Sequence, residues 1–277
     1  SGMGAVCREE GVPLISFEQA GVRAFERDGF AFSVANPVLD ADLIVNLPKV
    51  KSHSLTMLTA AVKNLYGAIP GYSKTTLHRL YPKPETFGRL IRAIWEVVPP
   101  TVTLADGIVG MEGDGPRNGH PKPAGVILGG ADCFAVDQVM AAVMGPPITS
   151  LPVNVHARQL GLGADLADIE VVGSGREVRL SFIPPHNLES LEGRVHPWLV
   201  KLGRSQLTTR PVITAGCVGC GRCAEHCPPQ AMTVIGGRVK IDYSRCIRCY
   251  CCQELCPADA VRLEDSFLLQ TVRRILR

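Results

Sequence analysis

The sequence predicts an α/β fold, with a mainly parallel sheet sandwiched by helices, followed by a small α+β domain organised around cysteines. Short apolar, β-rich runs recur at VPLISF (12–17), DLIVNLP (42–48), TVTLAD (101–106), AGVILGG (124–130) and DIEVVG (168–173). Helical patterns lie between several of them, at TMLTAAVKNLYG (56–67), ETFGRLIRAIWEVV (85–98) and AVDQVMAAVMG (135–145). Continuous apolar strands separated by helices imply a sheet covered on both faces. The small domain follows from the cysteines: eight of the eleven form one run written twice.

The first copy is Cys217, Cys220, Cys223, Cys227 and Pro228, and the second, 29 residues later, is Cys246, Cys249, Cys252, Cys256 and Pro257. C-x2-C-x2-C-x3-C-P is the ligand spacing of a two-cluster bacterial ferredoxin, in which the fourth Cys of each run binds the other run's cluster. Cys217, Cys220, Cys223 and Cys256 are therefore expected to hold one [4Fe–4S] cluster, and Cys246, Cys249, Cys252 and Cys227 the second. Zinc sites present ligands in simple C-x2-C pairs, and a secreted disulfide scaffold would need a signal peptide, which the sequence lacks. The repeat extends beyond the ligands, since CVGCGRCAEHCPPQAMTV aligns with CIRCYCCQELCPADAVRL and shares a Glu, a Pro and an Ala. Cys251 falls outside the ligand frame and reads as a packed thiol beside a cluster. Such a module moves electrons one at a time.

With 277 residues, 46% hydrophobic and 20% charged, the chain has enough apolar content for one large core and a small module. No run of about 18 apolar residues occurs, so no transmembrane segment is expected. Thiolate ligands and the lack of an export signal point to the cytoplasm, and low-potential clusters to an oxygen-poor setting. A formal charge of +3 gives no sign of nucleic-acid binding. Residues 1–183 are read as the α/β domain, the proline-containing stretch 184–210 as a linker, 211–264 as the two-cluster domain and 265–277 as a C-terminal amphipathic helix. In that helix Leu268, Val272, Ile275 and Leu276 form the expected apolar stripe.

Three loops after strand ends concentrate polar chemistry, where open α/β sheets place their ligands. In LPKVKSH, Lys49, Lys51 and His53 alternate at period two and would face one side of an extended segment. VKNLYGAIPG carries Lys63 and Asn64. ADGIVGMEGDGPRNG carries Asp106 at a strand end and Glu112 and Asp114 in a glycine-rich loop. No G-x-G-x-x-G or Walker pattern is present, so a standard nucleotide site is not expected.

The segments LPKVKSHSLTMLTAAVKNLYGAIPG, DGIVGMEGDGP and GVILGGADCFAVDQVMAAVMG resemble the signature segments of the DUF362 family, whose members often carry a C-terminal two-[4Fe–4S] module. The resemblance covers essentially the whole chain. It points to Lys51, His53, Lys63, Asn64, Asp106, Glu112 and Gly113, with His78 a weaker match. Members usually have a further strand–helix unit before the region matching Ser1, so part of the usual sheet is expected to be absent. The expectation is an iron–sulfur oxidoreductase in which Lys51 and Lys63 hold a small anion and His53 supplies a proton. Asp106 and Glu112 would orient the site or bind a cation, facing His53 across one pocket and raising its pKa. The alternative is a non-catalytic electron carrier whose α/β domain docks a redox partner protein.

Overall fold

The computed structural model describes residues 2–53, 55–71, 73–116, 118–145, 151–175, 177–185, 209–227 and 229–275. After helix α1 (Met3–Glu9), strands β1 (Val22–Arg27) and β2 (Phe30–Ala35) form an antiparallel hairpin. Its two turn residues, Asp28 and Gly29, are both left-handed, with φ of 50° and 75°. That backbone is what a two-residue hairpin needs and why an Asp-Gly pair occupies it. Phe30, Phe32 and Val34 alternate inward from β2. A short helix α2 (Asn36–Leu39) leads to β3 (Val45–Asn46), β4 (Lys49–His53), β5 (Met57–Thr59) and helix α3 (Ala61–Asn64), which runs on as a 3-10 turn over Leu65–Ala68. Helices α4 (Ser73–Leu80) and α5 (Pro84–Val97), strands β6 (Val102–Asp114) and β7 (Asn118–Gly130), and helices α6 (Cys133–Met144) and α7 (Pro152–Gln159) complete the large unit.

The sheet contains parallel pairs but is mixed rather than mainly parallel. Strands β3 and β4 both run parallel to β6, while β5 is antiparallel to β4 and β7 is antiparallel to β6 along nearly its whole length. The glycine-rich segment after Asp106, expected as a loop, is the second half of β6. Gly115 then turns the chain where a β-carbon would lie 2.0 Å from the Ser52 carbonyl oxygen, so only glycine lets the hairpin end meet β4.

Helices cover one face of this sheet. The side chains of Phe87, Leu90, Ile91 and Ile94, at helical spacing on α5, and of Met140 and Met144 on α6 are fully buried in its core. On the other face, Val45, Leu104 and Ile127 are exposed, so the expected two-sided sandwich is not seen among the described residues. VPLISF and DIEVVG form no strand: Val12, Leu14 and Ile15 project into solvent with no ladder partner. Helix α6 starts at Asp132, whose carboxylate accepts from the Phe134 and Ala135 amides.

In the small unit β8 (Thr209–Ile213) pairs with β11 (Val261–Asp265), and β9 (Met232–Ile235) with β10 (Arg238–Ile241). Short helices α8 (Arg222–Glu225) and α9 (Cys251–Leu255) follow the two cysteine loops, and α10 (Phe267–Ile275) ends the described chain. On α10 Leu269 is fully buried, while Leu268, expected on the apolar stripe, is 44% exposed, and the side chains of Val272, Ile275 and Leu276 lie outside the described residues. Most of the 184–210 stretch lies outside the described residues, and the small unit's first strand begins at Thr209.

One buried side chain fixes the helix that carries Lys63 and Asn64. Asp137 of α6 accepts from the Ala61 and Val62 amides at 2.6 and 3.1 Å, satisfying the start of α3. Asp137→Ala leaves both amides buried and unpaired, and equilibrium denaturation of the variant should show a loss of roughly 2–4 kcal/mol.

Candidate functional site

The cysteine loops build two separate thiol cradles. Cys217, Cys220, Cys223 and Cys256 line one small cavity, and Cys227, Cys246, Cys249 and Cys252 line another. This is the crossed grouping that the spacing predicts. Each loop needs left-handed backbone at two equivalent positions. The first run supplies Gly219 and Gly221, whereas the second uses Arg248 and Tyr250, with φ of 56° and 59°. Tyr250 is braced through its hydroxyl, which donates to the Thr209 carbonyl at 3.0 Å. Equivalent amides also serve the fourth ligands: Ala231 N–H donates to Cys227 Sγ and Ala260 N–H to Cys256 Sγ, each at 3.2 Å. Four ligand-frame thiols per cradle, N–H···S bonds and apolar walls, of Ile213, Val239 and Val261 in the first and of Met232 and Ile247 in the second, fit [4Fe–4S] clusters.

A cavity of about 530 Å³ lies where the second loop meets the large unit. Lys51, Lys63, Lys74 and His78 line it from the α/β side, and Cys251 and Glu254 of α9 from the cysteine side. Gln253 Nε2 adds a bond to the Asp114 carbonyl at 3.3 Å. Glu254 Oε1 lies 3.5 Å from His53 Nε2. His53 is buried behind this carboxylate rather than on the cavity wall.

Hydrogen bonds assign the two imidazole tautomers. His53 Nδ1 accepts from the Leu55 and Thr56 amides at 3.1 and 3.4 Å, which leaves the proton on Nε2, facing Glu254. His78 does the reverse: its Nδ1–H donates to the Lys74 carbonyl at 2.9 Å, leaving a lone pair on Nε2. The Tyr66 hydroxyl donates to the same carbonyl at 2.6 Å. Ligand atoms of His53, His78 and Glu254 lie within 4.8 Å of one another. A metal there would need a lone pair from each imidazole, and His53 presents an N–H instead. The arrangement is suited to hydrogen bonding and proton handling.

Electrostatics reverse one expectation. Burial, aided by the neighbouring Lys63 charge, pushes His53 down to about 3, so it is neutral near pH 7. Burial also lowers Lys63, to about 8, against the attraction of Glu254 and with repulsion from Lys51 and Lys74. Burial opposes ionisation of Glu254, but the Nε2–H of His53 facing it at 3.5 Å and the Lys63 charge outweigh it and hold the carboxyl below its usual range.

Lys51, Lys63 and Asn64 line the cavity as expected, and His53 stands directly behind it. Asn64 is oriented by its bond to Asn46 Oδ1 at 2.8 Å. Asp106 and Glu112 are elsewhere. The β4–β6 register shifts between Lys49 and Lys51, so Lys49 bonds exposed Asp106 at 2.7 Å while Lys51 goes to the cavity. Glu112 accepts from the Ile183 amide at 3.0 Å and approaches Lys122 at 3.5 Å, anchoring the 182–185 segment. Glu254 was missed as a site residue. Its signal was the Glu shared by the two cysteine repeats, of which the other copy, Glu225, is exposed.

The domain described as "Domain of unknown function (DUF362)" matches residues 1–142, half of the chain. A 4Fe-4S dicluster domain matches residues 216–260. A thylakoid-associated protein of Synechocystis sp. is 31% identical over 160 residues, covering 57% of this chain and 50% of the relative. The chain thus spans about half the length of the curated relative that it matches. No solved structure matches it. Among the described residues no helix is long and apolar enough to cross a membrane.

Because the His53 pKa is lower folded than its ordinary 6.5, the unfolded chain binds the extra proton and stability falls as pH drops from about 6.5 toward 3. His53→Asn keeps an acceptor for the two amides and removes the titration. Urea unfolding at pH 7 and pH 5 should show a smaller loss on acidification in the variant than in the parent.

Proposed function

The chain belongs to the DUF362 family, and we propose that it is an iron–sulfur oxidoreductase in which single electrons pass from the cysteine module to a small anionic substrate held by the α/β domain. One observation carries this reading: the cavity is walled on one side by Lys51 and Lys63 and on the other by residues interleaved with cluster ligands, Cys251 and Glu254. Two [4Fe–4S] clusters, one per cradle, would supply one-electron storage. The α/β domain, taken as 1–183, supplies binding, and the 211–264 module supplies electrons drawn from a redox partner protein. Reduced thiolates suit an oxygen-poor cytoplasm.

Within the cavity, Lys51 and Lys63 hold the anion. Lys63 is the group best matched to giving a proton near neutrality, since burial places it at about 8. His53 acts through Glu254: its Nε2–H faces the carboxylate, which it orients toward the cavity. His53 is thus a positioning residue in this reading rather than the proton donor. His78 offers its Nε2 lone pair as an acceptor. A two-electron reduction takes two electrons in succession and two protons, with no bond formed to the chain.

Two predictions follow the two halves of this reading. Anaerobically purified protein should contain about eight iron and eight acid-labile sulfide per chain. Cys227→Ala should damage the cluster of the second run and Cys256→Ala that of the first, resolved by electron paramagnetic resonance. For the cavity, dithionite-reduced protein freed of excess reductant is mixed with a panel of small carboxylates and sulfur oxyanions, and the return of visible absorption is followed. At least one anion should reoxidise the parent, and Lys63→Ala should weaken its apparent binding about 10- to 100-fold. If no anion reoxidises it, the α/β domain is a docking module and the chain a carrier.

A further inference from the structure

We infer that the two cradles work in a fixed order: electrons arrive at the first-run cradle of Cys217, Cys220, Cys223 and Cys256 from an acidic one-electron carrier protein, and leave for the cavity from the second-run cradle of Cys227, Cys246, Cys249 and Cys252 across the side chain of Cys251. The inference rests on the electron-transfer reading above and adds to it a direction and a docking face.

The order comes from where an internal repeat loses its symmetry. Cys251 borders both the cavity and the second cradle, whereas the first cradle shares no lining residue with the cavity. Its thiol is buried and lies 3.8 Å from the carbonyl oxygen of the ligand Cys249. The residue 29 positions earlier is Arg222, which is exposed. Glu254 behaves in the same way: it faces the cavity, while its counterpart Glu225 has a side chain 71% exposed. Helix α9 therefore turns Cys251 and Glu254 toward the cavity, and the equivalent α8 turns Arg222 and Glu225 toward water. A polarizable, non-ligand sulfur between cradle and cavity is a short path for an electron, and the first cradle has no such contact.

The first cradle has an outward face instead. Cys220 is exposed, and Val218 and Val234 beside its loop are 69% and 44% exposed. The loop is pressed onto these strands, since a β-carbon on Gly221 would sit 3.6 Å from Val234 Cγ2. Arg222 is exposed on the same loop and Arg238 reaches this side from the hairpin, its guanidinium donating to the Thr214 carbonyl at 3.0 Å, with exposed Glu225 beside them, so the face is apolar with a positive excess. That combination fits a small acidic redox protein, guided by charge and seated on Val218 and Val234. Each reduced carrier gives up one electron there, and two carriers serve one two-electron reduction in the cavity.

The test uses anaerobic holo-protein and potentiometric electron paramagnetic resonance, with Cys249→Ser and Cys220→Ser identifying the second-run and first-run signals. Lys63→Gln removes a positive charge from the cavity and should lower the potential of the second-run cluster alone, and Lys51→Gln should repeat the effect. A shift of the first-run cluster, or equal shifts of both, overturns the order and leaves the cavity reading intact. No shift in either cluster overturns both. Arg222→Glu with Arg238→Glu should slow reduction by reduced flavodoxin about tenfold at low salt, less so at high salt, and leave reduction by dithionite unchanged. Equal rates with flavodoxin overturn the docking face.

Discussion

The structure depends on one half-buried charge crossing between its two halves. Glu254 belongs to the cysteine module, yet the groups that keep it ionised, His53 Nε2–H and the Lys63 charge, belong to the α/β domain. A carboxylate taken out of water costs several kcal/mol unless such partners replace its hydration. The contact therefore sets how the halves meet: shifting the module by a few ångströms would strand the carboxylate. The same constraint explains His53, since an imidazole whose Nδ1 is occupied by two backbone amides has only Nε2–H left to offer.

Local signals made some of this architecture legible. Helices α5 and α6 matched their periodic segments because apolar residues at three- and four-residue spacing have one way to bury. The cysteine cradles were legible down to the crossed pairing, because two-residue spacings permit few geometries. VPLISF and DIEVVG misled because an apolar run becomes a strand only when a neighbour completes its ladder. The β1–β2 hairpin went unread although Asp28-Gly29 is a strong turn signal. The β6–β7 hairpin hid behind its glycines, which suggested a loop but in fact relieve close approaches such as that of Gly115 to Ser52.

The site was legible in part for a different reason. Lys51, Lys63 and Asn64 follow strand ends and reached the cavity, but Asp106 and Glu112 carry the same local marks and did not. Sequence position places a residue near a strand end; it does not decide which of two lysines an aspartate will meet. The β4–β6 register shift decides that, giving Asp106 to Lys49, while Lys51 lines the cavity. Glu254 was hidden more deeply, because its role arises only from contact between segments some 200 residues apart.

Charge balance ties these points together. Lys51, Lys63 and Lys74 line the cavity against Glu18 and Glu254, three ammonium groups to two carboxylates, with both histidines neutral near pH 7. Burial penalises that positive excess and already lowers Lys63 and Lys74. A bound anion would relieve the penalty by favouring the charged lysines, so binding and proton affinity rise together at this site. On the proposed path, an electron arriving beside Cys251 would add negative charge close to the same lysines and have the same sign of effect on them. Anion binding and electron arrival therefore both favour a protonated Lys63. In the proposed reaction, an electron passed to the anion would make it more negative and more basic, and the proton would move from Lys63 once that basicity exceeds the lysine's own.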